Sequence, residues 1–174
     1  MAESKPISGL LLEKLDTNKI ASAILKHASE SENEEDIKIR FEDELREVLK
    51  GWGIEWASYE HRLKISGRED SLYGTVIIEY KTPGRLDSKT EYSKSKEQIK
   101  GYIEQQAGTQ SRFGKYFGVL TDGYKIAFIR YRKNEWLEQA EPLSINGQKI
   151  LRLLESIRGL RRKPIDAEQL LLDF

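Results

Sequence analysis

Apolar and polar positions recur with two different periods along the chain, and the change of period divides it into parts. Between 8 and 28, Leu11, Leu12, Leu15, Ile20, Ile24 and Leu25 stand roughly at helical spacing, which predicts a helix. The polar stretch Ser29–Asn33 ends it. Ile37, Phe41, Leu45, Val48 and Trp52 form one apolar stripe over Glu34–Trp52, a second amphipathic helix stopped by Gly51 and Gly53. From Trp56 to Ile65 the pattern turns to short β-prone alternation, read as one or two strands. After a turn at Tyr73-Gly74, the β-branched run Thr75–Ile78 reads as a strand buried on both faces, closed by Pro83-Gly84. Residues 84–91 read as a loop and 92–107 as a helix carrying Ile99, Tyr102 and Ile103. Tyr116–Leu120 and Tyr124–Arg132 read as strands joined by Asp122-Gly123, a strong hairpin signal. A helix over 145–158, a basic turn Arg161–Pro164 and a short helix to Phe174 complete the expected order. The fold class this predicts is α/β, a small mixed sheet flanked by helices.

Composition narrows the chemistry. The 174 residues suit one domain, no apolar run approaches a membrane span, and the N-terminal sequence lacks the pattern of a signal peptide, so an intracellular, cytoplasmic protein is expected. With no cysteine, disulfides, thiolate metal sites and cysteine nucleophiles are excluded. His27 and His61 are the only histidines, too few for a histidine-based zinc site and a poor start for a Ser-His-Asp triad. The net charge of zero conceals an asymmetry: residues 1–60 hold 8 basic and 14 acidic side chains, and 61–174 hold 21 and 15. The C-terminal part could therefore present a basic face to a polyanion, although a merely solvated charged surface accounts for the same counts.

The densest candidate chemistry lies around the central strand. Asp70 precedes the Tyr73-Gly74 turn, and Glu79 and Lys81 follow the β-branched run. Strand alternation puts Glu79 and Lys81 on one face and Tyr80 on the other, while the turn can fold Asp70 beside Glu79. Two close carboxylates repel unless a divalent cation joins them, and their hard oxygens suit Mg²⁺. A lysine beside that cation can orient an attacking water. Acid-x-Lys also occurs at Glu3/Lys5, Asp36/Lys38 and Asp87/Lys89, but only the Glu79 copy follows a hydrophobic strand. An ordinary Lys–carboxylate pair at a strand end is the competing explanation. Downstream, Gln98 and Tyr102 stand at i,i+4 and share a helix face with Gln105 and Thr109.

In this order the motifs resemble the PD-(D/E)XK nuclease superfamily, with Asp70 as the first acid, Glu79-Tyr80-Lys81 as (D/E)-x-K, and Gln98…Tyr102 as the Q-x-x-x-Y element of its exonuclease-like and type I restriction branches. Gly67–Gly74 running into Lys81-Thr82-Pro83-Gly84, together with Gly118–Gly123, resembles the N-terminal nuclease region of fused restriction–methylation enzymes of the IIG, IIL and ISP kind. The likeness spans roughly residues 33–174; Glu69 stands where the superfamily has proline. It implies a restriction-endonuclease-like core at 33–160 behind a helical extension at 1–32. Residues 161–174 would be a linker to a downstream methyltransferase or helicase-like motor, neither of whose motifs the chain contains. It further implies a Mg²⁺-dependent endonuclease (Mn²⁺ substituting) that acts on double-stranded DNA, with a dimer as one route to double-strand cleavage. Asp70, Glu79 and the Tyr80 carbonyl would hold the metal, Lys81 would orient water, and Gln98 and Tyr102 would position the lysine or the DNA backbone. Arg68, Arg85, Lys94, Lys96, Lys100 and Arg112 are the candidate DNA contacts. In such enzymes a helical glutamate often completes the site. Glu34 lies on the wheel beside Phe41 and is the first candidate, Glu44 the second, but Ser31-x-x-Glu34 equally fits a capping box. A non-catalytic DNA-binding or docking module of the same fold, or a free-standing resolvase or repair nuclease, are the alternatives.

Overall fold

The computed structural model describes residues 15–51, 63–65 and 68–162; for 63–65, 68–72 and 160–162 only the backbone course is described. Of the expected first helix, residues 8–14 lie outside the described residues and 15–16 are not helical; segments 52–62 and 66–67 and the C-terminal tail from 163 also lie outside them.

Helix α1 (Thr17–Glu30) opens on Asp16, whose side chain accepts from the Lys19 amide. Its end is closed by Ser31, whose hydroxyl donates to the His27 carbonyl at 2.7 Å. Helix α2 (Glu34–Gly51) follows at once. Its start departs from the expected capping box, because Ser31 is already engaged with α1. Asn33 Oδ1 accepts the Asp36 amide at 3.0 Å and Asp36 Oδ2 accepts the Glu32 amide at 3.1 Å, a cap two residues later.

The sheet contains β1 (Leu63–Ile65), β2 (Arg68–Tyr73), β3 (Val76–Tyr80), β4 (Phe117–Thr121), β5 (Lys125–Arg132), β6 (Glu135–Glu138) and β7 (Leu143–Ser144). Strands β1 to β6 lie in sequence order, and β7 pairs with β5. Neighbours are antiparallel except β3 and β4, which run parallel and are joined by a crossover through helix α3 (Lys89–Ala107). The fold is thus a mixed α/β arrangement with a small open mixed sheet flanked by helices. Helix α3 begins at Lys89, within the expected loop, because the Ser88 side chain caps the Glu91 amide; a 3-10 turn at Arg85–Asp87 precedes it. Strands β6 and β7 were not anticipated. Helix α4 (Gly147–Arg162) runs on through Arg161 and Arg162, where a turn was expected.

Alternation along the strands sorts side chains onto two faces. Val76, Ile78, Tyr80, Phe117, Val119, Ile126 and Phe128 pack against α1, α2 and α4. The segment read as an extension therefore contributes Ala21, Ile24 and Ala28 to the same core as Ile150 and Leu153 of α4. The stripe Ile37, Phe41, Leu45 and Leu49 orients α2, each side chain contributing about 1.5–3 kcal/mol on full burial. On the opposite face, Ile77 and Ile129 meet Ile99, Tyr102 and Ile103 of α3. Gly118 permits this approach: a Cβ there would lie 3.0 Å from Ile99 Cδ1.

The β4–β5 turn ties the layers together. Asp122 is fully buried; its Oδ1 accepts the Tyr124 and Lys125 amides, and its Oδ2 accepts the Leu86 amide at 3.0 Å. Gly123 has φ +83°, and a Cβ on it would lie 2.5 Å from Ile37 Cδ1 and 2.7 Å from Ala28 Cβ. This glycine serves both the turn and the close seating of α1 and α2.

Candidate active site

Strand β3 is buried along its whole length and carries its chemistry at its C-terminal end. Glu79 and Lys81 share the face of Ile77, toward α3, while Tyr80 turns to α2 and meets Phe41 edge-on at 5.6 Å between ring centroids. The Lys81 amide donates to the Thr121 carbonyl at 2.9 Å, so β3 stays fixed to β4 past its last ladder residue.

Glu79 is 1% exposed and Lys81 6%. Lys81 Nζ donates to Glu79 Oε1 and, over 3.0 Å, to Gln98 Oε1. Gln98 Nε2 in turn donates to the Tyr102 hydroxyl oxygen. Four side chains from β3, its C-terminal continuation and α3 therefore form one hydrogen-bonded row. The i,i+4 spacing of Gln98 and Tyr102 aims both at the sheet, and the tyrosine ring is buried beside Ile99 and Ile103. Isolated, a buried ammonium or carboxylate would be costly; together they neutralise each other, and the glutamine oxygen takes another lysine proton.

Asp70 lies on β2, where the backbone register is defined. Ser71 pairs with Ile78 and Leu72 with Ile77. Continuing that antiparallel register by one residue sets Asp70 level with Glu79. Its side chain and that of Arg68 lie outside the described residues. Among the described residues, no group of three or more histidines, cysteines, aspartates or glutamates is arranged to hold a metal ion. The oxygen donors that could do so at this strand end are the Glu79 carboxylate and the Tyr80 carbonyl, with Asp70 at the matching register position.

Helix α2 brings Glu34 to the same end of the sheet, since Ile37 lies against the Gly123 turn and Phe41 against Tyr80. It stands on the Tyr80 face, however, and the bonds of Lys81 go to Glu79 and Gln98 instead. Glu44 points elsewhere: His27 Nε2 lies 2.8 Å from Glu44 Oε1, linking α1 to α2. The helix buries two charged residues that its apolar stripe gave no reason to expect, Lys38 and Glu42. Glu42 sits beside the Tyr73 hydroxyl; burial, reinforced by that carboxylate, pushes the phenol well above its usual range.

Several candidate DNA contacts are occupied within the fold. Lys96 and Lys100 both reach Glu138 on β6, at 2.9 and 2.7 Å, and Lys100 also reaches Glu97 at 2.7 Å. Burial opposes the Lys100 charge, but the bonds to Glu138 and Glu97 prevail and raise its pKa. Arg85 pairs with Glu91 at 3.1 Å, and Lys94 lies 3.7 Å from the same carboxylate. Arg112 is exposed in the 3-10 turn Gln110–Lys115.

Compared with protein-family models, curated proteins and solved structures, the chain matches none of them.

Proposed function

We propose that this chain is a Mg²⁺-dependent endonuclease domain with a restriction-endonuclease-like core, acting on double-stranded DNA within a restriction–modification enzyme. The observation that carries this reading is the buried row Glu79–Lys81–Gln98–Tyr102 at the C-terminal end of the central strand, with Asp70 at the register position beside Glu79. The donor set suits a hard divalent cation: Asp70, Glu79 and the Tyr80 carbonyl would hold Mg²⁺ or Mn²⁺, which when bound would polarise the scissile phosphate and lower the pKa of a coordinated water. Lys81 carries a proton on Nζ at the edge of that donor set and would face the charge developing on the phosphate. Gln98 holds the ammonium in place, and Tyr102 holds Gln98. A fused methyltransferase or motor would supply target recognition and partner contacts.

The test is nicking of supercoiled plasmid in Mg²⁺, comparing the unaltered chain with Lys81→Met below the variant's own melting temperature, with circular dichroism as the fold control. Nicking is expected for the first and absent for the second; undiminished nicking by Lys81→Met would sink the assignment. The non-catalytic alternative draws on the same Glu79–Lys81 pair, which by itself balances two buried charges. Thermal melting with Mg²⁺ or Mn²⁺ separates the two readings: a metal site raises the melting temperature, and Asp70→Asn removes that gain.

A further inference from the structure

Lys96 and Lys100 of α3 are paired with Glu138, but Arg130, at the other end of the sheet, has no ion pair among the described residues. Arg130, near the C-terminal end of β5, is 5% exposed, and its Nη1 is buried without a hydrogen-bond partner. It lies opposite Phe117 of β4 and Leu137 of β6 in the ladder, on the face of Phe128. The charged group felt most closely there is another cation, Arg132; burial first, and Arg132 second, depress the guanidinium's pKa. Arg132 follows two residues along the same face, and the β5–β6 turn adds Lys133, which with Asn134 adopts a left-handed backbone. The Gln110–Lys115 turn lies against this strand end, where a Cβ on Gly114 would be 3.3 Å from the Tyr131 carbonyl, and it brings Lys115 close. Glu135 is the ladder partner of Arg132, and no ion pair neutralises Arg130, Arg132, Lys133 or Lys115 among the described residues.

A guanidinium removed from water without a counter-ion is strongly disfavoured, and its planar fork matches the oxygens of a phosphate. We propose that Arg130 anchors a phosphate-binding site at the sheet end opposite Glu79 and Lys81, with Arg132, Lys133 and Lys115 as its rim. Several uncompensated cations around one anchor favour a multiply charged phosphate over a lone carboxylate. The phosphate is either free in solution or carried on a nucleic-acid strand. The site is independent of the reaction proposed above, and its test reads binding, so it stands or falls separately from nuclease activity.

The experiment is thermal melting of the full chain in orthophosphate at constant ionic strength, for the unaltered protein, Arg130→Met and Lys26→Met as a charge control at the Gly123 end of α1. A rise of roughly 3–5 °C is expected at phosphate about tenfold above its dissociation constant. Lys26→Met should keep that rise and Arg130→Met should lose it. Without phosphate, Arg130→Met should melt no lower than the unaltered chain, because removing an unpaired buried charge relieves a penalty. A flat phosphate response in the unaltered chain, an undiminished response in Arg130→Met, or a steep loss of stability on that substitution without phosphate each overturn the proposal. A metal-free DNA duplex titration assigns the source: weaker binding by Arg130→Met identifies a nucleic-acid phosphate, and unchanged binding identifies the free anion.

Discussion

Replacing Lys81 by Met keeps most of its volume and removes its charge. Glu79, 1% exposed, then keeps a carboxylate in the interior without the ammonium that balances it, and Gln98 Oε1 loses the proton it accepts over 3.0 Å. Removing one partner of a buried ion pair costs about 3–5 kcal/mol, far above the 0–1 kcal/mol of an exposed pair. For a chain of this size, 1 kcal/mol moves the midpoint by about 2–4 °C, so Lys81→Met should melt about 6–20 °C lower. Glu79→Gln combined with Lys81→Met removes both charges and leaves amide and thioether, and should recover a large part of that loss. Urea unfolding of the four members of this cycle measures the coupling directly. A Lys81→Met variant within about 1 kcal/mol of the unaltered chain, or a double variant less stable than the sum of the two singles, would refute the reasoning, since either result means the pair is not mutually neutralising.

Three further outcomes follow from the structure. Gly123→Ala should cost about 2–4 kcal/mol by urea unfolding, combining a left-handed backbone with a Cβ forced against Ile37 and Ala28. Asp122→Ala should cost about 3–5 kcal/mol, because three backbone amides lose a buried acceptor, and native-state exchange of the Leu86 amide should accelerate. Glu138 supplies a pH dependence: burial opposes its charge, but bonds from Lys100 and Lys96 prevail and hold its carboxyl below the ordinary 4.5. A depressed acid contributes stability that is present above its unfolded value and lost as pH falls through its folded value, so part of the stability should disappear below about pH 4.5 and the acid limb should flatten in Glu138→Gln.

What could be read in advance was whatever depends on local period. Strand alternation separates Glu79 and Lys81 from Tyr80, and helical spacing pairs Gln98 with Tyr102, so each pair's shared face was visible before any tertiary information. The bond from Lys81 to Gln98, by contrast, joins elements that local period does not connect. The stripe of α2 was visible from its local period as far as Leu45; beyond it Leu49, not the expected Val48, is the fully buried residue. What escaped depends on partners distant in sequence. Strands β6 and β7 are short edge segments of mixed polarity whose existence comes from pairing with β5. Without β6 there is no Glu138 facing α3, so Lys96 and Lys100 read as free cations. The Asn33–Asp36 cap and the Ser31–Glu34 alternative have the same spacing; the choice is made because Ser31 finishes α1. Buried Lys38 and Glu42 were hidden by a pattern that counts every charge as outward-facing.

The single carboxylate of Asp122 grips both the hairpin that follows β4 and the turn that leaves β3. The connection 81–88 is consequently clasped at both ends, by the Lys81 amide on Thr121 and by the Leu86 amide on Asp122. Lengthening this connection would slide α3 along the sheet and carry Gln98 out of reach of Lys81. Insertions and fusion junctions should therefore be rejected between Lys81 and Lys89 even though several residues there are exposed, and surface exposure alone is a poor guide to where this chain can be cut or spliced.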